Sequence, residues 1–200
     1  MTNHLVNRDE KAREMVARQI REHAAAIEAL GSDPSAIFQV TEVMIRSLEA
    51  GGKVLTFGNG GSASDAQHLV GELVGRFKLE RRGLAAIALT SNSTNLTAIG
   101  NDFDFRDVFA RQIEALGKEG DVAIGLSTSG NSPNVIAGLE MASKLNIITV
   151  ALTGGDGGKL KSLVDVCLNI NASDTPRIQE AHITAIHIIC ELVESELASR

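Results

Sequence analysis

Cysteine is scarce, basic charge is not in excess, and no hydrophobic run is long enough to cross a bilayer. The two cysteines, Cys167 and Cys190, fall in segments that read as a strand and a helix, and no metal-ligand spacing involves them. Both are therefore expected buried and reduced. Net charge is −6 and the 19 lysines and arginines are scattered, which leaves no footprint for nucleic acid. The polar start Met1-Thr2-Asn3-His4 does not read as a signal peptide, so a soluble, cytoplasmic protein is expected. Linkers, repeats and low-complexity stretches are also missing. With 44% apolar content, the 200 residues suffice for one domain spanning 1–200 with a sizeable core.

What is present is a strand–helix rhythm. Five apolar runs, Val54–Phe57, Ala85–Leu89, Val122–Leu126, Ile147–Leu152 and Val166–Ile170, are nearly continuous rather than alternating, as for strands covered on both faces. Helical patterning fills most of the intervals, which predicts a parallel α/β sheet flanked by helices over about 51–172. Two helices precede it, within about 9–50. Val16, Ile20, His23, Ile27 and Leu30 form the stripe of the first, and Ile37, Val40, Met44 and Leu48 that of the second, started by Ser32-Asp33-Pro34. Ile186, Cys190, Val193 and Leu197 mark a long final helix at about 175–199. The N-terminal stripes are expected to pack on the helices of the sheet or on another copy of the chain.

Two loops carry most of the functional signal. Gly58-Asn59-Gly60-Gly61-Ser62 follows the first apolar run, and Ser127-Thr128-Ser129-Gly130-Asn131-Ser132 follows the third. Small-residue turns between a parallel strand and a helix leave N–H groups and a positive helix end free for an anion. The second loop adds four hydroxyls, with Ser132 as expected N-cap and Pro133 in the first helical turn. Together they suit a phosphorylated, hydroxyl-rich ligand such as a sugar phosphate. The first loop formally matches G-x-G-x-x-A, but the second strand ends Leu89-Thr90-Ser91-Asn92 without the acid that a dinucleotide ribose requires. Gly157-Gly158-Lys159 is followed by Leu160 and is not a P-loop.

These loops, with Gly100-Asn101-Asp102-Phe103, Leu152-Thr153-Gly154 and Arg177-Ile178-Gln179-Glu180 in the same order, resemble the sugar isomerase (SIS) family, and within it the sedoheptulose 7-phosphate isomerases. The resemblance spans nearly the whole chain. It implies a five-stranded parallel sheet flanked by helices, and a homotetramer with active sites between subunits. It implies conversion of sedoheptulose 7-phosphate to D-glycero-D-manno-heptose 7-phosphate through an enediol, the first step toward nucleotide-activated heptoses of bacterial surface polysaccharides such as lipopolysaccharide.

Such a reaction needs a base over carbon, an acid near oxygen and stabilisation of developing negative charge. His68 and Glu72 are four apart on one helix, and Gln179 and His187 lie on the last. Taken alone, the first pair reads as a surface pair and His187 as an interior histidine. The resemblance instead makes His68, Glu72, Gln179 and His187 the ligands of one zinc ion per subunit, with Glu72 as base and His187 as acid. It puts Asn59, Gly60, Gly61, Asn101 and Asp102 near the sugar, together with Glu72 and Gln179, and makes Ser127, Thr128, Ser129 and Ser132 the phosphate cradle. Arg76 and Arg177 are unplaced basic candidates. His182 reads as a satisfied interior histidine, Glu180 as an ion-pair partner, and His4 and His23 have no motif support. Ala63-Ser64 and Pro176 depart from the family pattern without touching a ligand. Some SIS relatives are non-catalytic and bind the replication initiator. They lack the glutamate and second histidine that stand here as Glu72 and His187.

Overall fold

The computed structural model describes residues 2–198, with side chains from residue 9. Five parallel strands form one sheet in the order β2-β1-β3-β4-β5: β1 Val54–Gly58, β2 Ala86–Ala88, β3 Val122–Ser127, β4 Ile148–Gly154 and β5 Val166–Ile170. The helices are α1 Thr2–Ser32, α2 Ser35–Glu49, α3 Gly61–Val74, α4 Ser93–Asp102, α5 Ala110–Leu116, α6 Pro133–Lys144 and α7 Thr175–Leu197. The strand count and the parallel α/β class agree with the pattern of apolar runs. The edge strand β2 is shorter than Ala85–Leu89 and only its last residue is buried.

Alternate strand residues feed two cores. Val54, Val122, Ile124, Leu126, Val150 and Leu152 face α2, α3 and α7, while Leu55, Phe57, Ala123 and Ala151 face α5 and α6. The expected stripe of α2 is buried throughout, at Ile37, Val40, Met44 and Leu48. The stripe of α1 divides: Ile27 and Leu30 pack on the core, whereas Val16 and Ile20 are exposed. Ser199 lies outside the described residues, as does the side chain of His4. Cys190 is buried as expected, but Cys167 is only half-buried, on the outer strand β5. Among the described residues no helix is long and apolar enough to cross a membrane.

The strand order places the site. From β1 the chain crosses to β2 on one side, while β3 lies on the other side and leads on to β4 and β5. In an open parallel sheet, a ligand crevice forms where the order reverses, outside the carboxyl ends of the strands. The glycine loop after β1 and the serine loop after β3 flank that point.

Candidate active site at the sheet switch point

The two loops are tied across the switch point by a pair of amides. Asn59 Nδ2 donates to Asn134 Oδ1 at 2.8 Å, and Asn134 Nδ2 donates back to Asn59 Oδ1 at 2.9 Å. Asn134 is buried in the first turn of α6. Ser132 occupies the N-cap position of that helix, as expected, but its side chain makes no capping hydrogen bond. Its Oγ is instead drawn 2.9 Å from the buried Ser127 Oγ, which holds the two ends of the serine loop together. Ser129 Oγ accepts from Asn131 N, while Thr128 is half-buried and Ser129 exposed. The non-P-loop glycines brace this loop from behind: Leu160 N donates to Gly130 O, and Lys159 N donates to Asn131 Oδ1. An open cleft of about 510 Å³ lies in front, lined by Asn59, Gly60, Ser132, Asn134 and the segment Asp104-Phe105-Arg106.

The helix α3, which the glycine loop opens, and α7 bring three candidate ligands together. His68 Nε2 stands 3.0 Å from Glu72 Oε1 and 2.9 Å from His187 Nε2, the two rings meeting edge-on at 62°. The four-residue spacing puts His68 and Glu72 on one face of α3, turned to α7. One ligand atom from each of His68, Glu72 and His187 lies within 4.8 Å of the others. Two imidazoles and a carboxylate are a zinc-type donor set. Bonds of about 2.0–2.1 Å in a tetrahedral array would separate ligand atoms by roughly 3.3 Å, close to the two spacings from His68. At 2.9 Å the two imidazole nitrogens either share a proton or turn both lone pairs toward one cation. The donor set therefore fits a divalent metal.

Gln179 lies at the glycine loop. A Cβ added to Gly61 would stand 2.7 Å from Gln179 Oε1, so that glycine is what admits the amide. Asn101 and Asp102 end α4, both exposed and hydrogen-bonded to each other at 2.8 Å. Arg76 is exposed just beyond α3. Arg177 is buried and committed to structure, donating to Gln19 and Glu180, and His23 Nδ1 stands 2.8 Å from the same Glu180. His182 is interior but only half satisfied: Nε2 donates to Thr153 O at 3.0 Å, while Nδ1 has no partner. Burial lowers its pKa to about 4.

Several residues near the site gave no sequence signal. Asn134 looks like any residue in the first turn of a helix until its amide is seen against Asn59. Asp65, one turn before His68, is pushed up to about 6 by burial, against the opposing influence of His68. Burial, with Glu72 and Glu194 nearby, pushes the Cys190 thiol up to about 12, so it remains protonated.

Residues 11–154 match the SIS domain family. Phosphoheptose isomerase of Geotalea daltonii is 52% identical over 92% of this chain and 96% of its own, and that of Helicobacter pylori is 48% identical over 94% and 98%. Among solved structures, phosphoheptose isomerase from Neisseria gonorrhoeae superposes with a TM-score of 0.83 at 43% identity, over 94% of this chain and 98% of that one. A phosphoheptose isomerase from Francisella tularensis gives 0.89 at 37% identity, over 92% and 98%.

Proposed function

Since this chain belongs to the SIS-domain family and, within it, to the phosphoheptose isomerases, we propose that its His68–Glu72–His187 cluster interconverts sedoheptulose 7-phosphate and D-glycero-D-manno-heptose 7-phosphate. The observation that carries this reading is the convergence of those three side chains between α3, the helix that the glycine loop opens, and α7. A ketose and its aldose differ by a proton moved between adjacent carbons and another moved between their oxygens, through an enediol. Glu72 turns Oε1 to His68 and offers its other oxygen to the carbon-bound proton. His187 exchanges the proton at the sugar oxygen. Ser127, Thr128, Ser129 and Ser132 hold the phosphate, and Asn59, Gly60, Gly61, Gln179, Asn101 and Asp102 orient the hydroxyl-bearing carbons.

His68, Glu72, Gln179 and His187 would hold one zinc ion, which supplies Lewis-acid polarisation of the sugar oxygens. The chain acts in the cytoplasm as a homotetramer with sites completed between subunits, supplying heptose for lipopolysaccharide. Incubation with sedoheptulose 7-phosphate, read by NMR, should show the aldose product. Chelation should abolish turnover and zinc should restore it. Absence of product from zinc-loaded protein overturns the assignment.

A further inference from the structure

We propose that Glu194 is a positioning residue for this site. From a buried place two turns beyond His187 on α7, it clamps residues 77–81 so that Phe77 packs on His187 and Arg81 holds the end of the helix that carries Glu72.

Residues 77–81 follow α3 without helix or strand structure of their own, so no ladder fixes them. Glu194 does so instead. Its Oε1 accepts from Phe77 N at 2.9 Å, and its Oε2 from Lys78 N at 2.6 Å and Leu79 N at 2.8 Å. The Arg81 Nε stands 3.1 Å from Oε1, with both side chains at least 96% buried. Three successive N–H groups aimed at one carboxylate, closed by a guanidinium, make a nest for a charge that burial alone would expel. Those hydrogen bonds hold the carboxyl below its ordinary range although burial opposes them.

Both arms of the clamp end at the site. The Phe77 ring lies 5.8 Å from that of His187, tilted by 30°. Arg81 donates to the carbonyls of Glu72 at 2.8 Å and Leu73 at 2.9 Å, groups at the helix end that have no intrahelical partner. One buried carboxylate thus fixes a neighbour of His187 and the backbone of Glu72. The nearby Lys78–Glu191 pair is half exposed and adds little.

The inference rests on the metal-assisted isomerase reading, and its test separates the two. Glu194→Gln, Phe77→Ala and Phe77→Tyr are compared with wild type for melting temperature, hydrogen exchange at amides 77–79, zinc affinity by chelator competition, and kcat and KM. Folded Glu194→Gln should exchange faster at 77–79, bind zinc about 10–100-fold more weakly, as loss of a ligand's supporting partner does, and lose kcat more than KM. Phe77→Ala should also weaken zinc, and Phe77→Tyr should restore it. Unchanged zinc affinity and kcat in folded Glu194→Gln overturn the clamp. If that variant does not fold, unchanged values in Phe77→Ala overturn it. Wild type without turnover would sink the isomerase reading, while zinc affinity in the variants would still decide the clamp.

Discussion

Glu72 and His182 show opposite uses of an ionisable group. Glu72 is partly exposed beside the imidazoles of His68 and His187, where a ligand could reach it. Glu72→Gln keeps shape and an oxygen but removes the proposed base, so on that reading turnover should fall by a factor of about 10²–10⁴. Exchange of the substrate's carbon-bound hydrogen with deuterated water should stop with it, while melting is unchanged. Persistent exchange would give the base to another group. His182 has no access to water or substrate, and its pKa of about 4 lies below the ordinary 6.5. The unfolded chain therefore binds the extra proton between these values. Stability is fully present above 6.5 and is lost as pH falls toward 4, by about 3 kcal/mol at most. Melting followed from pH 7 to 4.5 should drop more for wild type than for His182→Gln. Parallel curves would show that His182 stays neutral in both states. The sequence read His182 as interior, but His68, Glu72 and His187 stood out only through the family resemblance, and Asn134 and Glu194 not at all, because each acts on a loop more than 70 residues away.

At the level of elements, the loops after β1 and β3 were legible because a parallel strand needs a turn at its carboxyl end and the residues there were small and polar. The five strands were legible for the same kind of reason, since burial on both faces leaves continuous apolar runs. Bracing was not legible. The serine loop is shaped by residues 157–160, which match no ligand motif. Gly130 shows how tight that contact is: it sits at φ +63°, and an added Cβ would stand 2.0 Å from the Gly157 carbonyl oxygen. Gly155 has nearly the same backbone, at φ +61°, with nothing nearer than 4.0 Å. Gly155→Ala should therefore cost about 1–2 kcal/mol, the penalty of the left-handed region alone. Gly130→Ala should cost clearly more and weaken sugar-phosphate binding, because the two segments must separate. Denaturant melts with substrate titration check this pair. Equal losses in the two variants would mean that the serine loop tolerates displacement from its brace.

Among the described residues, α1 carries an apolar stripe that the rest of the chain leaves uncovered. Met15, Val16 and Ile20 are 58%, 63% and 64% exposed on α1, whose first buried apolar side chain is Ala26, although Gln19 and His23 already tie the helix to α7 through Arg177 and Glu180. Val16 and Ile20 are one turn apart and continue the stripe of Ile27 and Leu30, so the same face that packs on the core runs on into solvent. Phe38, 58% exposed, and Ile188, 40% exposed, border a groove of 180 Å³ beside Ile27 and Leu30. Burying side chains of this size contributes about 1.5–3 kcal/mol each, enough for several together to hold an assembly. Light scattering should give four times the chain mass of 21.1 kDa for wild type. Val16→Glu with Ile20→Glu should yield smaller species with unchanged helix content. If sites are completed between subunits, that variant should lose turnover although His68, Glu72 and His187 still converge within one chain. A fully active monomer, in wild type or variant, would show that each chain builds its whole site alone and would leave the exposed stripe of α1 without a catalytic consequence.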